Sequence, residues 1–141
     1  MYTIKDTIEI QSDPASVWSA VTDVENWPQW TPTVTSVERI DSGPFGLESV
    51  TRVKQPGQRA KLWRVTRFDE GHQFAWQSGG SGLQIEAAHI VRKSARGAES
   101  LISLRLNGRL APFLAPLLYL PIRLALKQEN AGLKSWCEAH L

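Results

Sequence analysis

The sequence predicts an α+β fold in which a curved antiparallel sheet covers one long carboxy-terminal helix. Three observations predict it. Residues 112–141 read as a single helix, apolar from Pro112 to Ile122 and amphipathic from Lys127 to His140. Seven upstream segments bounded by turn residues read as strands, and Thr3 to Gln11, Ala60 to Asp69 and Leu83 to Lys93 alternate in the two-residue period of half-buried strands. The turns between successive strands are short, which requires antiparallel neighbours. A long apolar helix needs a surface to bury it, and a curved sheet supplies one.

The first strand is Thr3 to Gln11, with Ile4, Asp6, Ile8 and Ile10 on one face. In Ser12-Asp13-Pro14, Asp13 suits an N-cap and Pro14 the first helical position. A short helix over Pro14 to Thr22 turns Val17, Trp18 and Val21 to the core. A second short helix or turn, Val24 to Trp30, is limited by Pro28 and Pro32. The remaining strands are Val34 to Asp41, Leu47 to Lys54, Ala60 to Asp69, Gln73 to Ser78, Leu83 to Lys93 and Glu99 to Asn107. Gly and Pro clusters separate them, and Gly108 breaks the sheet before the helix. Alternation in the fourth strand puts Trp63, Val65 and Arg67 on one face.

Length and composition narrow the classes. With 141 residues, 42% apolar and 21% charged, the chain is expected to form one globular domain over residues 1–141. A net charge of +2 gives no nucleic-acid footprint. The lone Cys137 excludes an internal disulfide and suits helix packing. Met1-Tyr2-Thr3-Ile4-Lys5 begins no apolar leader, so a cytoplasmic location is expected. Leu110 to Leu126 approaches the length of a membrane span, but Pro112, Pro116, Pro121 and Arg123 argue against one. Peripheral contact between this apolar stretch and a lipid surface stays open.

The order of short motifs carries a resemblance. Asp13-Pro14-Ala15-Ser16-Val17-Trp18 is followed by Asp23-Val24-Glu25-Asn26-Trp27-Pro28-Gln29-Trp30. Trp63-x-Val65, Phe74-x-Trp76 and His89 come next, and Glu129-Asn130-Ala131-Gly132-Leu133-Lys134 closes the chain. Together these resemble the START-like, Bet v 1-type (SRPBCC) superfamily, which includes the polyketide cyclase/dehydrase and lipid transport proteins. The resemblance implies a helix-grip fold: a seven-stranded antiparallel sheet wrapped round the long carboxy-terminal helix, with two short helices between strands 1 and 2. It also implies a cavity between sheet and helix. It does not fix an activity, because that superfamily holds binders, transporters and enzymes.

Six tryptophans offer large flat surfaces for a core or a cavity wall. Trp18, Trp30, Trp63 and Trp76 are candidate ligand-binding residues, with Trp30 expected to reach inward from the turn it shares with Trp27. Trp136 suits the core. His89 alternates with Ile85, Ala87 and Val91 on an apolar face. It reads either as a hydrogen-bonded core histidine or as a cavity group able to move protons. Arg52, Arg64, Arg67 and Arg105 lie within strands and suit the solvent face of the sheet; if one faces inward, Arg67 is the candidate, able to hold a carboxylate or an enol or phenolate oxygen. Leu117 and Tyr119 are candidate cavity contacts from the helix. No two histidines fall at metal-ligand spacing, and no cofactor motif is present.

Binding or carriage of a small hydrophobic molecule, such as a polyketide, aromatic, isoprenoid or lipid, accounts for these features. Two alternatives remain. One is a cyclase/dehydratase-type enzyme using His89 and Arg67. The other is an interaction module whose apolar helix touches a membrane or a protein, marked by exposure of Leu114, Leu117 and Leu118.

Overall fold

The computed structural model describes residues Tyr2–His140. The chain forms β1 (Tyr2–Ile10), α1 (Pro14–Thr22), a 3-10 helix (Val24–Gln29), β2 (Ser36–Arg39), β3 (Val50–Lys54), β4 (Lys61–Asp69), β5 (Gln73–Gly79), β6 (Gln84–Ser94), β7 (Gly97–Asn107) and α2 (Ala111–Ala139). This is the helix-grip architecture expected from the sequence. The seven strands form one antiparallel sheet in the order β1-β7-β6-β5-β4-β3-β2. Successive hairpins build β2 to β7, and β1 then pairs along its whole length with β7, from Tyr2↔Leu106 to Ile10↔Ala98.

Local chemistry explains the ends of the elements. Asp13 is extended and its carboxylate accepts the Ser16 N–H at 2.7 Å, while Pro14 begins α1. That same bond holds the Asp13 carboxyl below its ordinary range. The segment Val24–Gln29 is 3-10 rather than α-helical, with Pro28 inside it. β2 and β3 are shorter than the strands expected over Val34 to Asp41 and Leu47 to Lys54. The chain between them turns through Asp41 and Ser42 to Ser49, where Asp41 accepts the Val50 N–H at 2.9 Å. Gly108 has φ +109°, and a side chain there would meet the Gly82 carbonyl oxygen at 2.5 Å. The Leu110 N–H donates to that carbonyl at 2.9 Å, which fastens the start of α2 to the β5–β6 loop.

Two apolar clusters hold helix and sheet together. The larger joins α1, the 3-10 helix, the sheet and the end of α2 through Val17, Trp18, Trp27, Phe74, Trp76 and Leu133. The smaller joins β1 and β7 to the first half of α2 through Ile4, Ile102, Leu106, Ala115 and Leu126. Between them lies a buried polar knot. Asn130 is 0% exposed; its amide nitrogen donates to the Asp6 carbonyl and carboxylate, and its oxygen accepts from the Ser100 hydroxyl. An amide with all its partners supplied is stabilising in a core, and these bonds fix how α2 lies across β1 and β7. Cys137 is buried in the larger cluster, and burial raises its thiol to about 11.

Candidate functional site

A cavity of about 270 Å³ opens where neither cluster fills the space between sheet and helix. The sheet side supplies Val53, Trp63, Trp76, Ile85, Ala87, His89, Ile102 and Leu104. Trp27 and Val34 close one wall, and Leu118, Pro121, Ile122, Ala125, Leu126 and Glu129 form the helix side. Gln58 and Pro121 are the exposed members of the lining. They mark the mouth, between the β3–β4 loop and the first half of α2.

The aromatic wall is built from edge contacts. Trp76 packs near-perpendicular to Phe74 and Phe45 and tilts against Trp63 at 5.6 Å. Trp27 meets Trp76 at 5.4 Å, and its indole N–H is spent on the Val21 carbonyl at 3.0 Å, outside the cavity. Such contacts hold the rings in fixed orientations.

His89 is stacked on Phe74 at 4.9 Å and tilted against Trp27 at 5.1 Å. Its Nε2 faces Glu129 Oε1 across 3.8 Å, with little of either side chain exposed. Loss of solvent governs both groups. Burial pulls the His89 imidazolium from 6.5 down to about 3 and pushes the Glu129 carboxyl from 4.5 up to about 8. At neutral pH the pair is therefore a neutral imidazole facing a largely protonated carboxyl, not an ion pair. Together they can donate one hydrogen bond and accept another.

The family follows from the whole sequence. A family model described as polyketide cyclase / dehydrase and lipid transport matches residues 1–137. The chain belongs to that family. Among solved structures, a hypothetical protein from Helicobacter pylori superposes with a TM-score of 0.83 at 14% identity, covering 96% of this chain and 88% of that one. A START superfamily protein from Mycobacterium smegmatis gives 0.81 at 17% identity, covering all of both chains. The di-domain ARO/CYC protein StfQ of the steffimycin biosynthetic pathway gives 0.64 at 11%, covering 99% of this chain and 45% of that one. At such identities these likenesses establish the fold alone. No curated protein matches the chain.

The polyketide cyclase/dehydrase family fold brings only some of the expected residues together. Trp63, Trp76 and His89 line the cavity. Trp18 does not; it is buried against Phe68 and Phe74, with its indole N–H on Glu70 at 3.2 Å. Trp30 was expected to reach inward but lines a shallow outer groove with Trp136 and His140, because α2 crosses directly over its backbone at Gly132. Trp27 takes the inner position instead. Arg67 faces solvent, not the cavity. A bulge between Val65 and Arg67 shifts the register, so alternation breaks and Phe68 turns inward in place of Arg67. Leu117 and Tyr119 are exposed, whereas Leu118, between them, lines the cavity.

Glu129 is the group the sequence reading passed over. Its signal is visible in retrospect. Ile122, Leu126, Glu129 and Leu133 follow steps of four, three and four, which places Glu129 within the inward stripe of the helix.

Proposed function

We propose that the protein binds a small, mainly apolar molecule bearing one hydrogen-bonding group, held between the tryptophan wall and α2. The observation that carries this reading is an apolar aromatic cavity with one deeply buried polar couple, His89 and Glu129; its other polar lining groups, Gln55, Gln58 and Lys61, lie in and beside the β3–β4 loop. Small-molecule sites have this character: mostly apolar walls and a few convergent polar groups. Trp27, Trp63 and Trp76 supply stacking faces. The protonated Glu129 donates to a carbonyl or hydroxyl oxygen of the ligand, and the His89 Nε2 accepts from a hydroxyl. A dry apolar cavity of about 150 Å³ accommodates benzene. The 270 Å³ here therefore suits a compound of one or two rings or a short chain better than a long acyl lipid.

The test is native mass spectrometry of protein purified from its own host, followed by extraction and identification of what is bound. One stoichiometric apolar compound is expected. Ala125→Phe places a ring in the cavity from the helix side and should remove the compound while leaving the melting transition in place. Retention of the compound in this variant would move binding to another place on the molecule.

A second reading, a cyclase/dehydratase-type enzyme, draws support from the same couple. A neutral base 3.8 Å from a protonated acid can take a proton from one atom of a bound molecule and return one to another. The extracted compound decides between the readings. If incubation with fresh protein alters it, and His89→Gln stops the change while binding persists, the couple is catalytic. An unaltered compound leaves binding alone.

A further inference from the structure

The first half of α2 has a second face that the cavity does not use. Six of the ten exposed large hydrophobic residues fall between Leu110 and Leu124. Phe113, Leu117, Leu120 and Leu124 follow steps of four, three and four, so they form one stripe along the helix. Phe113 and Leu117 are 74% and 73% exposed. Scattered apolar residues on a surface are ordinary, but a continuous stripe of this kind marks a contact site.

Charge says what the stripe would contact. Residues 49–68, which hold β3, the β3–β4 loop and most of β4, carry Arg52, Lys54, Arg59, Lys61, Arg64 and Arg67 and no acid. Residues 100–128 carry Arg105, Arg109, Arg123 and Lys127 and again no acid. Of these, Arg59 and Lys61 lie in and beside the β3–β4 loop at the cavity mouth, Arg109 precedes α2, and Arg123 and Lys127 lie on it; Arg52, Arg64, Arg67 and Arg105 lie on the outer face of the sheet, where Arg52 meets Glu38 and Arg105 meets Glu86. Among the described residues Lys5, Arg59, Lys61 and Arg109 make no ion pair. The acids on α2, and Asp6 facing it, are occupied: Asp6 faces Lys127 and Asn130, Glu129 is buried against His89, and Glu138 holds Lys134 and the Gln11 N–H.

We infer that the protein docks on the surface of an anionic lipid bilayer through the Phe113–Leu124 stripe, with the basic rim of the cavity mouth against the headgroups. An exposed apolar helix face flanked by cations is the pattern of interfacial binding, in which buried apolar area and attraction to anionic lipid add. A second copy is a poorer occupant, because two such rims would bring like charges together. On the bilayer, the mouth marked by Pro121 and Gln58 opens at the membrane surface. An apolar ligand would then pass between lipid and cavity without crossing water.

The docking is independent of the ligand reading and is tested without a ligand. The full chain is floated with vesicles of phosphatidylcholine alone, and with vesicles of equal parts phosphatidylglycerol and phosphatidylcholine. Binding to the anionic vesicles only is expected, and it should weaken strongly at about 0.5 M salt, where screening is nearly complete. Leu117→Glu/Leu120→Glu should lose binding altogether. Arg59→Ala/Arg109→Ala should lose about fivefold per cation removed. Arg96→Ala, in the turn at the far end of the β6–β7 hairpin, should bind as the parent does. Circular dichroism identifies any variant that fails to fold, and the arginine pair, exposed and unpaired, keeps the test valid if the glutamates disturb the helix. Absence of binding, equal binding to both vesicles, or parent-like binding by both double variants would each overturn the proposal. So would a concentration-dependent dimer that ignores vesicles, which would show the stripe covered by a second copy.

Discussion

Replacing Glu129 by Gln tests the electrostatics of the cavity directly. Burial raises the Glu129 carboxyl from 4.5 to about 8. Between these values the folded chain keeps a proton that the unfolded chain has lost, so stability falls as pH rises, by about 1.4 kcal/mol per pH unit. His89 acts in the opposite sense. Its imidazolium is lowered from 6.5 to about 3, so in that window the unfolded chain takes up a proton that the folded chain refuses, and stability falls as pH falls. Between pH 4.5 and 6.5 the two slopes cancel, leaving a plateau. From pH 6.5 to 8 Glu129 acts alone, and the loss is about 2 kcal/mol. Glutamine keeps the shape and the neutral, hydrogen-bonding character of the protonated acid but cannot ionise. The assay is urea unfolding followed by tryptophan fluorescence across this range, on parent and Glu129→Gln. Ionisable groups common to both proteins drop out of the difference. The parent should lose about 2 kcal/mol relative to the variant between pH 6.5 and 8. A difference independent of pH would refute the reasoning, because it would mean that Glu129 titrates alike in the folded and unfolded chains.

Two further substitutions probe how α2 is held. Asn130→Ala leaves the Ser100 hydroxyl and the Asp6 carboxylate without their buried partner and should cost roughly 3 kcal/mol in urea unfolding; a cost near zero would mean that water replaces the amide. Gly132→Ala sets a methyl group against the Trp30 carbonyl and should cost about 1–3 kcal/mol, with a changed tryptophan emission as the helix lifts from Trp30. An unchanged melting transition and emission would show that helix and turn part there without strain.

Much of this fold was legible because it rests on local chemistry. Period-two alternation, Gly and Pro punctuation, the Asp13-Pro14 helix start and the uncharged run from Pro112 to Ile122 each report on a few neighbouring residues. His89, Trp63 and Trp76 were legible as inward groups because they sit in strands whose alternation is unbroken at those positions. Arg67 was misplaced because a bulge adds a residue to one strand only, and nothing in the alternation of β4 announces it. Trp30 and Trp27 were exchanged because the direction of each ring depends on where α2 crosses the turn, about a hundred residues later in the chain. Leu117 and Tyr119 were placed inside because a wholly apolar stretch has no polar face to give away its orientation. The helix there buries one stripe and leaves the other exposed.

The sequence by itself determined the elements, their antiparallel succession and the need for one long helix to be covered, since these follow from residue spacing. Tertiary structure alone decided the closure of β1 onto β7, the empty space between two apolar clusters and the meeting of His89 with Glu129. That last pair is 40 positions apart on different elements, and each group titrates as it does only because the other walls of the cavity exclude water. Burial is a property of the assembled fold, and so is the chemistry it confers on these two side chains.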